Sequence, residues 1–214
     1  MSFFKASILQ IRSHLHIYVV AYIVLLTLLY LFADIAERYD MSVAYFTRDP
    51  AITLYGHPFT GVISNIGILF WCFSLAICFF CSWLILKKGE KQVSVFLFFS
   101  GLFTLLLMLD DFFMFHEFIF PYSFGIPQEA VIVGYLVMIS MYFLKFGRLI
   151  LTMEYTILLM ACGLFALSLA TDIWMPQSDL QFLVEDGAKL FGIVTWFIFF
   201  IRTCYAQTVR LIER

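Results

Sequence analysis

Long apolar runs separated by short polar turns dominate the chain. A helix needs about 20 mostly apolar residues to cross the roughly 30 Å hydrocarbon layer of a bilayer, and six runs approach that length: 17–33, 62–86, 95–120, 130–146, 149–171 and 185–201. The pattern predicts an all-α, polytopic integral membrane protein, a single six-helix bundle over 1–214. Two connections are long, Asp34 to Gly61 and Asp172 to Val184, and neither is long enough to make a domain.

Composition sharpens this expectation. The chain is 63% hydrophobic and 13% charged, with a mean hydropathy of +0.97, whereas soluble domains are about 25% charged. Cytoplasmic loops hold an excess of Lys and Arg. With both termini cytoplasmic, that side receives Lys5, Arg12, Lys87, Lys88, Lys91, Lys145, Arg148, Arg202, Arg210 and Arg214, ten of the thirteen basic residues. The acids show the reverse bias, with only Glu90, Glu154 and Glu213 on the cytoplasmic side. A bacterial cytoplasmic membrane is the expected location, with the acidic face towards the periplasm or exterior. Nothing in the net charge of -2 suggests nucleic-acid binding.

Lys5 and Arg12 before the first run resemble a signal peptide, but the run is long and no clear cleavage site follows, so an uncleaved first helix is expected. The five cysteines lie within or at the ends of the runs, and C-x-x-C at Cys78 to Cys81 reads as packing. The 27 phenylalanines read as packing and lipid-facing surface, and Trp174 and Tyr122 suit an outer interfacial belt.

The stretch LLLMLDDFFMFHEFIFP, Leu105 to Pro121, sets Asp110, Asp111, His116 and Glu117 in an apolar run. At 1.5 Å per residue, Asp110 lies about 22 Å along a helix that starts near Val95. A carboxylate at depth costs several kcal/mol unless paired, hydrated or protonated, roughly. Helical spacing puts Asp110 and Glu117 on one face and turns Asp111 and His116 away from it. A regular helix therefore cannot bring the four together, and a break before Pro121 would re-aim His116 and Glu117. Acids at a helix C-terminus also oppose its macrodipole.

A second cluster opens the last run, LVEDGAKLFG. Glu185 and Lys189 have the favourable i,i+4 order, and Glu185 and Asp186 suit a helix N-terminus. Ser168 and Asp172 share a face at the end of the fifth run, Ser64 and Asn65 open the second, and His57 precedes it in LYGHPFTG. Ser64 and Ser168 equally suit interhelical hydrogen bonding. With Glu129 in the first turn of the fourth, each of the last five helices thus carries a polar residue near the outer face, which predicts a shared, outward-opening acidic pocket.

Clustered carboxylates and imidazole suit Zn, Mn or Fe. Asp110, Asp111, His116, Glu117, Glu185 and Asp186 are the candidate ligands of a divalent metal, with Asp110, Asp111, His116 and Glu117 as the catalytic candidates that supply a general base. Lys189 would neutralise the acids or hold an anionic head group. The order Ser64, Asn65, then Asp111 and His116 one helix later, resembles the alkaline ceramidase and adiponectin-receptor (CREST) type of membrane hydrolase. That resemblance implies a zinc-dependent amidase acting on lipids in a seven-helix bundle. The chain departs from it in lacking S-x-x-x-H and H-x-x-x-H. Three functions follow as expectations: a metal-dependent hydrolase of a lipid-like substrate, a cation or proton transporter with Glu154 as an inner relay, or an accessory subunit of a membrane complex. The bilayer is the expected partner, and the oligomeric state stays open.

Overall fold

The computed structural model describes residues 3–48, 50, 54–57 and 59–213. Every regular element among them is helical. The chain divides into two compact units, 1–60 and 61–214.

The first unit holds α1, Phe3–Arg38, and the short α2, Ala44–Thr47. The expected run 17–33 lies inside α1, which extends further at both ends. Arg38 Nε donates to Asp34 Oδ2 at 2.7 Å, one turn earlier, placing a cation in the last turn of α1 where the macrodipole favours it. Phe32 stacks on Phe46 of α2, with ring centroids 5.3 Å apart.

The second unit is built from α3 (Val62–Lys87), α4 (Lys91–Phe113), a π-helical turn (Phe115–Ile119), α5 (Phe120–Phe124), α6 (Gln128–Ile150), α7 (Tyr155–Trp174) and α8 (Asp179–Ile212). Five of these, α3, α4, α6, α7 and α8, are long and apolar enough to cross a membrane. Their outward faces carry large exposed apolar side chains such as Phe80, Trp83, Leu144 and Phe191, a surface suited to hydrocarbon rather than water.

α3 packs against both α4 and α8, and α7 against α8. Small and hydroxylated residues set these contacts, as expected where close packing and interhelical hydrogen bonds replace the hydrophobic effect. Ser82 and Ser94 donate to each other's carbonyls at 2.8 and 2.9 Å, closing the α3–α4 hairpin beyond Gly89, whose φ of 87° makes the tight turn. Trp196 Nε1 donates to Thr104 Oγ1 at 3.0 Å, and Ser100 Oγ lies 2.7 Å from Tyr142 OH, tying α8 and α6 to α4. Gly192 leaves room for the Phe165 ring, which a Cβ would meet at 2.8 Å. That ring stacks on Trp71 and meets Trp196 edge-on. Cys78, Cys81 and Cys204 are free thiols buried in this core.

The helix ends differ from the sequence reading where polar groups outweigh apolar pattern. The third run, expected to 120, stops at Phe113 because Met114 adopts a left-handed conformation, φ 52°. The fourth continues past Phe146 to Ile150, and the fifth starts at Tyr155 rather than Leu149, because Gly147 does not break the helix and the turn forms at Thr152. The last begins at Asp179, not Glu185, since Ser178 caps it by accepting from the Gln181 N–H at 3.2 Å. This correction places Glu185, Asp186 and Lys189 inside the helix rather than in its first turn.

Candidate functional site

Adjacent residues on a helix point about 100° apart, so Asp110 and Asp111 leave α4 in different directions and find different partners. The side chains of both are mostly shielded, 9% and 7% exposed.

Asp111 faces α3 and α8. Its Oδ1 forms an ion pair with Lys189 Nζ, and its Oδ2 accepts from Trp71 Nε1 at 3.2 Å. The i,i+4 pair expected between Glu185 and Lys189 does not form; Glu185 instead takes a hydrogen bond from Gln181 Nε2. Lys189 reaches across to α4, where Asp111 is 7% exposed and costly to leave without a counter-charge.

Asp110 faces α6 and the π turn. Its Oδ1 accepts from the His116 backbone N–H at 3.0 Å and from Tyr135 OH at 2.7 Å, while its Oδ2 bonds His116 Nδ1 at 2.6 Å. The left-handed Met114 reverses the chain enough to bring His116 back over the end of α4. Phe118 and Ile119 N–H groups then both donate to the Met114 carbonyl, at 2.8 and 3.1 Å, giving the wide turn. Asp110, badly placed for the macrodipole of α4, thereby serves the N-terminus of the next turn as a capping acid. Glu117 lies outside this shielded pair, half exposed, with Oε1 3.5 Å from His116 Nε2.

Both aspartates, His116, Tyr135 and Lys189 line one cavity of about 230 Å³. Its remaining walls are apolar: Phe103 and Leu107 of α4, Ile132 and Ile139 of α6, Phe165 and Leu169 of α7. A second hollow of about 20 Å³, the size of one water, adjoins Asp111 and Lys189 and is bordered by Ser64 and Asp186.

The other sequence-predicted residues are more scattered. Asn65 and Asp172 are exposed, and Ser168 is buried within α7. His57 belongs to the first unit, where its Nδ1 accepts from the Phe59 N–H at 3.3 Å. Glu154, the expected inner relay, is held in an ion pair by Arg202, which keeps its carboxyl below the ordinary range. Tyr135, Trp71 and Gln181 escaped the sequence reading. The first two carry a polar tip that must find a partner when shielded, the one signal available for them.

The donor set does not fit the expected metal. The Asp110 oxygens are taken by Tyr135 and His116, those of Asp111 by Lys189 and Trp71, and Glu185 by Gln181. Among the described residues no group of three or more His, Cys, Asp or Glu converges on a point where an ion would sit.

Burial works to lower the His116 pKa, and Lys189 adds to that, but the hydrogen bond and charge of Asp110 and the charge of Glu117 outweigh both and raise it above the ordinary value. A raised folded-state pKa means that the stabilisation is complete below the unfolded value, about 6.5, and is lost as pH rises through the folded value. The melting temperature of the purified protein is therefore expected to fall as pH increases above about 6.5, and His116→Gln to flatten that slope. An unchanged slope in the variant would show that the imidazole does not titrate against Asp110.

A family profile described as Domain of unknown function (DUF8692) matches residues 17–203. No curated protein and no solved structure matches the chain.

Proposed function

We propose, for a chain that belongs to the DUF8692 family, a membrane protein that takes a lipid-like amphiphile into the cavity between α4, α6 and α7 and acts on its polar end by acid–base chemistry. The observation that carries this reading is the cavity itself: a hollow of about 230 Å³ with mostly apolar walls and with an oriented imidazole and a lysine on the same surface.

His116 is the group that exchanges a proton. Asp110 holds Nδ1 and so fixes the ring and its tautomer, which leaves Nε2 as the working atom. Glu117, half exposed and just beyond hydrogen-bond distance of Nε2, passes the proton to and from solvent. Lys189, fixed by Asp111, polarises an oxygen of the bound molecule. No step runs through a metal ion.

The topology proposed is six crossings, with α1 as the first, both termini cytoplasmic and the cavity at the outer face of a bacterial cytoplasmic membrane. The distribution of Lys and Arg supports it. A cysteine placed at Glu117 is expected to react with an impermeant maleimide added to intact cells, and one at Arg210 only after permeabilisation; the reverse pattern would invert the assignment.

The activity is tested by incubating the purified protein with a total membrane lipid extract and following retained and altered species by mass spectrometry. The parent is expected to retain and convert one species, His116→Gln to retain it unaltered, and Ile139→Trp, which fills the cavity, to lose it. Identical lipid profiles from all three proteins would contradict the reading.

A further inference from the structure

The polar partners around the cavity define the charge of what it holds. Two carboxylates and two bases line it, and each acid already has its own base. With His116 protonated the lining is neutral; with it neutral the lining carries one negative charge. An anionic head group gains nothing from such a field and would have to draw Lys189 away from Asp111, and stranding a shielded carboxylate is strongly unfavourable. A cationic head group would sit beside Lys189 with both carboxylates of the lining already engaged.

Apart from His116 Nε2, which the acid–base step uses, the hydrogen-bonding capacity that remains is that of a donor. Trp71 Nε1–H and Tyr135 O–H are spent on the acids. An ammonium has three N–H groups, and the ion pair with Asp111 uses one, leaving two on Lys189. An uncharged carbonyl oxygen, with two lone pairs and no proton to place, accepts these without disturbing either pair. The apolar walls and the stacked Trp71 and Phe165 rings suit an acyl chain. The chain can extend beyond the 230 Å³ because α6 stands off from α4 and reaches the bundle through side chains such as Tyr135 and Tyr142.

We infer that the cavity selects an uncharged amphiphile bearing a carbonyl acceptor, an acyl ester or a molecule of like chemistry, over a fatty acid or an alkylamine of the same chain. This rests on the reading that the cavity holds a lipid-like molecule, and goes beyond it in naming the head group.

The probes are methyl oleate, oleic acid and oleylamine, which share one hydrocarbon chain and differ at the polar end. Each is titrated into the full-length protein in the same detergent near neutral pH, with occupancy read by native mass spectrometry. Ile139→Trp serves as the blocked protein, and Leu136→Trp, on the same wall, replaces it if the first melts early. The ester is expected to bind at least about tenfold more tightly than either charged probe, the value of one hydrogen bond to a charged donor, and only to the unblocked protein. Oleic acid or oleylamine binding as tightly as the ester, and lost on blocking, would overturn the head-group inference while leaving the cavity as a lipid site. Binding of no probe, or binding that blocking does not reduce, would overturn both.

Discussion

The ion pair between Asp111 and Lys189 is the constraint around which the second unit is arranged. An ammonium and a carboxylate among phenylalanine, leucine and tryptophan side chains are each costly alone and tolerable together. Their meeting fixes the register of α8 against α4. Trp71 completes the shell of Asp111 from α3, so that one carboxylate ties three helices together at a single level. Gly67 under Ile193 brings α3 close to α8, and Gly192 under Phe165 does the same for α7.

Asp110 completes the site by a different device. The carboxylate next in sequence turns to the other side and collects three donors, two of them from a segment only six residues further on. This is why α4 ends where it does and why a left-handed methionine and a wide turn are tolerated there: the local strain is offset by a capped turn and a fixed imidazole. Tyr135, the third donor, anchors the N-terminal half of α6, which touches the rest of the bundle mainly through aromatic side chains. The cavity is the space left between an α6 held at arm's length and the helices packed around Trp196.

Much of this architecture is legible in the chain before any coordinates. Apolar length identifies the five helices of the second unit, since no other structure satisfies the backbone of such segments in an apolar medium. The special status of Asp110, Asp111, His116 and Lys189 is legible from their setting, because charge at depth demands a partner. The partners themselves are not legible. Helical spacing favours Glu185 for Lys189, and only tertiary contact with α4 reverses that choice. The role of Asp110 as a cap depends on Met114 taking a conformation that its residue type does not announce. Tyr135 and Trp71 are hidden among the other aromatic residues of a chain that holds 27 Phe, 11 Tyr and 4 Trp. The metal reading arose from the same gap: Asp110, Asp111 and Glu185, clustered on paper, each engage a separate set of donors in the fold.

The central claim is that Asp111 and Lys189 act as one unit rather than as two polar residues that happen to share a surface. A double-mutant cycle on the purified protein measures this directly, using Asp111→Asn, Lys189→Gln and the two combined, with unfolding free energies from denaturant titration in mixed micelles. The account predicts a coupling of about 1–3 kcal/mol, with the double variant more stable than the sum of the single changes implies. Additive effects, with no coupling beyond error, would contradict it.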